Sequence, residues 1–383
     1  MRRCDGAIVI ACALLLTLAL AASEQPRRGL TAVPELARVY DAIFDARFQE
    51  VPALRARACV PAPAEACQLL DALALWWRIQ LDPFDTSRDA AFLAACEAAI
   101  AASDAWTQRE PARAEAWFYL GGAYAARVQW QILRGERLAA ARDGKRIKEA
   151  VEQALALDPA LTDAYFGIGL YHYYADVGPR ALRMLRWLLL LPGGDRVRGL
   201  REMLQARSGQ LVRSEADYQL HVVYLWYEKQ PERALDLLRD LQTRHPHNPH
   251  FLQAAAEIQD FYIDDTEGSL RTWRALLDAA QRGQVAEAKM AEVNARLGIA
   301  SQIDQLGQSD LAVEQLRPVI AAQPPAPVGA VARAHLQLGH ALGRLARRDE
   351  AAASYRNAIV AAGPRDPLRI AAQARAGLRA LRR

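Results

Sequence analysis

Three histidines within six residues, His245-Pro246-His247-Asn248-Pro249-His250, form the densest group of metal-capable side chains in this 383-residue chain. Imidazole is a common zinc ligand, but a tetrahedral site needs a fourth donor, and no Cys, Asp or Glu lies within the segment. Its prolines and asparagine suit a turn between helices, so no metal is expected there. Leu191-Pro192-Gly193-Gly194-Asp195-Arg196 is a glycine-rich turn ahead of a helix, where backbone N–H groups can hold an anion. The same residues serve more simply as a helix stop followed by an Asp195 N-cap. Gly167-Ile168-Gly169 falls inside a helical pattern and lacks the strand-turn-helix setting of a nucleotide loop. G-x-S-x-G, H-E-x-x-H, S-x-x-K and Walker motifs are absent. The expectation is a protein with no catalytic residues and no cofactor.

Redox chemistry is confined to five cysteines. Cys4 and Cys12 belong to an N-terminal stretch with the marks of a signal peptide. Arg2 and Arg3 are its basic start, Ala7 to Leu20 its apolar run, and Ala19-Leu20-Ala21 its cleavage site. Residues 1–21 are therefore expected to be removed on export to the periplasm. The alternative is a lipid anchor at Cys12, within Val9-Ile10-Ala11-Cys12. No other segment reaches the roughly 20 apolar residues of a membrane span. Cys59 should end one helix and Cys67 begin the antiparallel next one, across Pro61 and Pro63. That arrangement brings their Cα atoms within the roughly 7 Å that a disulfide allows, and leaves Cys96 free and buried.

The elements that position these residues are helices. Hydrophobic residues make up 52%, and Ala, Leu, Arg, Glu and Gln, all strong helix formers, dominate. Pro34, Asp82-Pro83 and Asp85-Thr86-Ser87 are start and stop signals within residues 33–108, which read as two degenerate helical hairpins. From residue 112 a repeat emerges. Trp117-Phe118-Tyr119-Leu120-Gly121-Gly122-Ala123-Tyr124 is W-x2-L-G-x2-Y, with its second helix at Ile147 to Leu157 and Asp158-Pro159 closing it. About fourteen extra residues make these two helices longer than usual or interrupt them near Asp143-Gly144. Tyr165, Ile168, Gly169, Ala181, Leu185 and Leu188 follow at a 34-residue spacing, closed by Pro192. Leu297-Gly298 with Ala312 and Leu316, and Leu338-Gly339 with Ala351 and Tyr355, repeat the pattern; units around Ala234 to Pro246 and Asn248 to Arg282 are weaker.

These residues resemble the tetratricopeptide-repeat family over residues 112–363. The resemblance implies an all-α, right-handed superhelical solenoid of helical hairpins with a concave groove. An inserted helix near 195–207 interrupts the array, and residues 366–383 are its capping helix. Small residues let paired helices approach, and large ones fill the space between stacked repeats. The family's groove-lining positions fall on Phe118, Phe166, Tyr173, Tyr174, Trp226 and Tyr227. These rings either bind a partner or are packed over by the 195–207 helix or the 128–146 insertion. Lys and Asn of the family's carboxylate clamp are replaced by Phe118, Gly122, Phe166 and Leu170, which argues against an acidic C-terminus as ligand.

Charge adds a boundary. The formal charge is +4, falling to +3 once residues 1–21 are gone, and the excess lies after Gly363. Four Lys against 44 Arg, without any nucleic-acid-binding signature, exclude nucleic acid as the expected partner. The function anticipated is a non-catalytic periplasmic scaffold holding a protein or peptide in an aromatic concave groove. The alternative is a ligand- or metal-binding protein or hydrolase whose site sequence hides.

Overall fold

The computed structural model describes residues 28–178 and 193–382. The signal-peptide residues, Cys12, and the expected helix residues Ala181, Leu185, Leu188 and Pro192 lie outside them. The described residues hold helices and no strand. They are α1 Val33–Phe44, α2 Val51–Ala58, α3 Ala64–Leu81, α4 Asp89–Arg109, α5 Ala114–Leu133, α6 Arg137–Leu157, α7 Ala164–Val177, α8 Arg196–Ala206 and α9 Arg213–Trp226. Next come α10 Pro231–Arg244, α11 Pro249–Phe261, α12 Thr266–Gln281, α13 Ala288–Gln305, α14 Ser309–Ala322, α15 Ala330–Arg344, α16 Arg348–Ala362 and α17 Ile370–Ala380.

From α3 onward the helices pack in consecutive pairs, α3/α4 to α15/α16, and α17 closes the end against α15 and α16. Five of the pairs share one turn geometry. Gly135, Lys229, Asp264, Gly307 and Ala346 each stand two residues before a second helix, and all have φ between +56° and +80°. Glycine enters this region freely, whereas the lysine, aspartate and alanine pay on the order of 1 kcal/mol, so the geometry is imposed by the packing of the pair. Small residues let the paired helices approach. A Cβ on Gly121 would lie 2.7 Å from the Val151 side chain, and one on Gly339 2.6 Å from the Tyr355 ring.

Three points of the expected layout stand out. α6 runs without a break through Asp143-Gly144, because Asp143 is tied to Arg127 (2.7 Å) and Gln131 (2.9 Å) of the facing α5. The extra residues lengthen the pair. Secondly, the helix near 195–207 packs directly on α7. It is α8, the partner of α7, with Gly199 seated on α7: a Cβ there would meet Tyr173 N at 2.5 Å and Gly169 O at 2.7 Å. Thirdly, the terminal helix begins at Ile370, not 366. Arg369 adopts φ 54°, and the Asp366 carboxylate accepts from Ile370 N and Ala371 N at 3.0 and 2.8 Å.

The start of the chain departs furthest from the expected pattern. α1 does not continue the stack; it lies along the wall built by the first helices of the pairs. Gly29 N donates to Asp158 (2.8 Å), Thr31 N to Glu115 (2.6 Å), and the Tyr40 hydroxyl to Glu215 (3.1 Å). Beyond its end, Asn248 Nδ2 donates to Phe44 O (2.7 Å), and His247 N to Asp45 (2.9 Å). Further along, Val328 N before α15 reaches Asp82 after α3 (2.9 Å), so the array curls until residues 246 apart in sequence meet.

Cys59 and Cys67 are disulfide-bonded, with Cα atoms 6.1 Å apart, and Cys96 is free and buried, its thiol pushed up to about 12 by burial. Closing so short a loop contributes about 2–3 kcal/mol in the chain-entropy model. Calorimetry with and without reductant should show a correspondingly lower melting temperature when the bond is reduced.

Candidate partner-binding surface

The six aromatic residues do not form one open groove. Phe118 and Phe166 are 9% and 8% exposed, covered by Leu36 and Tyr40 of α1 across a narrow cavity. The chain's own first helix lies over them, with Gln129 of the 128–146 region lining the same cavity and no residue of the 195–207 helix doing so. Tyr173 is fully buried, and its hydroxyl donates to Glu228 at 2.5 Å. Trp117, expected in the core, is half-buried and donates to Pro111 O at 2.9 Å.

Around the remaining three a separate cluster forms. Tyr173, Tyr174 and Tyr227 meet edge to face, with centroids 5.5–5.9 Å apart. Glu228 ties this cluster to α8 through Arg196 (2.8 Å), and the Arg196 hydrogen bond holds the Glu228 carboxyl below its usual range. Burial raises the phenols of Tyr173, Tyr174 and Tyr227, so all three stay neutral. The cluster fixes Tyr227, which leaves it 39% exposed beside Trp226 at 55%.

Trp226 and Tyr227 end the first helix of their pair. The same place one pair later holds Phe261, 74% exposed, and Tyr262, also exposed. Ile132 and Leu133 hold it in α5, and in the two pairs after Phe261 the exposed Leu306 and Leu345 stand one position further on, next to the left-handed turn residue. This edge is stitched across repeats: Gln302 donates to Asp260 (2.9 Å), and Arg344 to Asp304 O (3.1 Å). Trp226, Tyr227, Phe261 and Tyr262, four exposed aromatics, therefore stand at equal positions of successive repeats, which stacking aligns along one rim. Phe261 and Tyr262 were missed by the groove reading. Their spacing of 35 residues from Trp226 and Tyr227 is the signal that could have found them.

The remaining sequence candidates are structural. His245 pairs with Ser214 (2.8 Å), His247 with Asp45 (2.8 Å) and His250 with Tyr218 (3.0 Å), so the three rings diverge. Among the described residues no cluster of three His, Cys, Asp or Glu side chains could hold a metal. Asp195 caps α8, accepting from Arg198 N at 2.9 Å, and a Cβ on Gly194 would lie 2.5 Å from His172 O. Leu191 and Pro192 lie outside the described residues.

The repeated left-handed turn and the close glycine contacts define the architecture. The chain folds as an array of tetratricopeptide-type helical hairpins. No protein-family model matches the array, and no curated protein matches it either. Among solved structures, it is similar to the Cut9–Hcn1 hetero-tetramer of the APC/C, at 11% identity over 83% of this chain and 56% of that one, with a TM-score of 0.41. Yeast Tom70 is similar at 13% identity over 84% and 64%, with a TM-score of 0.39. NprR in complex with its cognate peptide NprX is similar at 11% identity over 91% and 82%, also at 0.39. The array thus spans less than two thirds of the length of Cut9–Hcn1 and of Tom70.

Proposed function

We propose that this protein is a non-catalytic scaffold of the periplasm that binds a protein or peptide partner along the aromatic rim. The observation that carries the reading is the exposure of Trp226-Tyr227 and Phe261-Tyr262 at equal positions of successive repeats. Solvent-exposed aromatics in rows are what interfaces use as anchors, and single truncations cost about 2 kcal/mol or more of binding. Of the groove residues first expected to bind, Trp226 and Tyr227 remain in this surface; Tyr173 and Tyr174 pack behind Tyr227, and Phe118 and Phe166 lie apart from it under α1. The Cys59–Cys67 bond supports export, since such bonds persist in oxidising compartments. Removal of residues 1–21 is checked by the intact mass of the periplasmic protein.

The paired variants Trp226→Ala and Phe261→Ala test the surface. Recovery of the cross-linked partner from periplasm should fall more than tenfold for each, with melting unchanged. Full recovery of the partner by the double variant would overturn the assignment.

A further inference from the structure

Between α1 and the inner wall lies a cavity of about 90 Å³. Gly121, Gly122, Ala125 and Gly167 of α5 and α7 line it from the side of the wall, and Leu36 and Tyr40 from the side of α1. Leu36, Leu69, Leu73 and Phe166 make its walls predominantly aliphatic and aromatic. By comparison with a cavity of about 150 Å³ that takes benzene, it has room for a chain of roughly four carbons.

Its polar groups are one-sided. Asp163 and Glu215 line it, and no Lys, Arg or His does. Asp163 is satisfied by the backbone N–H groups of Gln210, Leu211 and Val212 at 2.8–3.1 Å. Glu215 is 3% exposed and has neutral donors only: Tyr40 at 3.1 Å, Gln129 at 3.3 Å and Gln219 at 3.4 Å. Buried carboxylates are ordinarily matched by a cation or by short, charge-assisted hydrogen bonds. Burial accordingly raises the Glu215 pKa, the mark of an anion without a counter-charge. Independently, Tyr119 lines the cavity while 3% exposed, and its hydroxyl has no partner. Buried polar groups rarely stay unpaired, so the Tyr119 hydroxyl is a second unmatched polar group of a cavity-lining residue.

We propose that this cavity binds a short aliphatic amine, its alkyl chain among Leu36, Leu69, Leu73 and Phe166 and its ammonium against the Glu215 carboxylate. A fatty acid of the same length would set its carboxylate against Glu215 and Asp163. A neutral alcohol would fill the space but leave the Glu215 charge unmatched.

The full-length protein is titrated with n-butylammonium, n-butanol and butyrate, with binding read by saturation-transfer NMR of the ligand methyl group and by the melting temperature. Butylammonium should bind and raise the melting temperature, butanol should bind about tenfold more weakly or worse, and butyrate should not bind. Glu215→Gln should weaken butylammonium about tenfold and bring it level with butanol. Ala125→Leu, which fills the cavity from α5 and leaves Glu215 in place, should abolish binding of both even if Glu215→Gln fails to fold. Equal binding of butylammonium and butanol, or unchanged binding in Ala125→Leu, would overturn the proposal.

Discussion

Acidification from pH 7 to pH 5 should cost this protein several kcal/mol of stability, enough to bring it close to unfolding. Burial depresses His221 to about 3, and His245 and His250 to about 4. All three pack in or beside α9 and α11, where Tyr218 contacts both His221 (centroids 4.7 Å) and His250 (5.6 Å). The unfolded chain takes up protons on these rings below about pH 6.5, and the folded chain does not until pH falls to 3–4. Their contribution is therefore fully present above pH 6.5 and is lost as pH falls from there toward 4. Each ring accounts for about 1.4 kcal/mol per pH unit inside that window. Glu215 and Glu257, whose carboxyls are raised by burial, work in the opposite direction and return part of the loss. The net expectation is a loss of about 3–6 kcal/mol by pH 5, against a total of roughly 5–15 kcal/mol for a folded protein. Urea midpoints at pH 7, 6 and 5 check it, and His221→Asn should flatten the slope by about a third. A midpoint constant from pH 7 to pH 5 would show that these imidazoles are not held neutral inside the fold.

Phe44→Ala should destabilise the protein by about 3–5 kcal/mol, the range for deleting a buried ring and leaving a cavity. Phe44 is fully buried at the end of α1, 4.2 Å from the Trp77 ring and within 6.2 Å of His245 and Phe251. These contacts join α1 to α3 and to the turn before α11, so the loss acts on the docking of the whole first helix. The surface variant Phe261→Ala should stay within about 0.5 kcal/mol, since that ring packs on little. Urea denaturation of both variants measures the contrast. A small loss for Phe44→Ala would mean that α1 is only loosely attached to the wall.

The repeats were legible because their constraints are local. W-x2-L-G-x2-Y and the Gly–small-residue pairs report helix-to-helix approach within some forty residues, and sequence carries that directly. The role of α1 was not legible. Leu36, Val39, Tyr40, Ile43 and Phe44 lie on one buried face, and this pattern announces a buried helix without naming its wall. Its partners Glu115, Asp158, Glu215 and Asn248 stand far along the chain, and only the curl of the array brings them to it. The pairing of α8 was not legible either: nothing local ties Gly199 to the Gly169 face of α7 that it meets. Family positions then pointed Phe118 and Phe166 at a ligand, because nothing local says that the groove is already filled.

Hydrogen exchange of the intact protein tests both the seating of the first helix against the inner wall and the proposed seating of a partner on the rim. The amides of α1, from Val39 to Phe44, should exchange as slowly as those of α3, and adding the partner should slow exchange around Trp226 and Phe261 while leaving α1 unchanged. Rapid exchange throughout α1, or release of α1 when the partner binds, would contradict the account and return the groove to the partner.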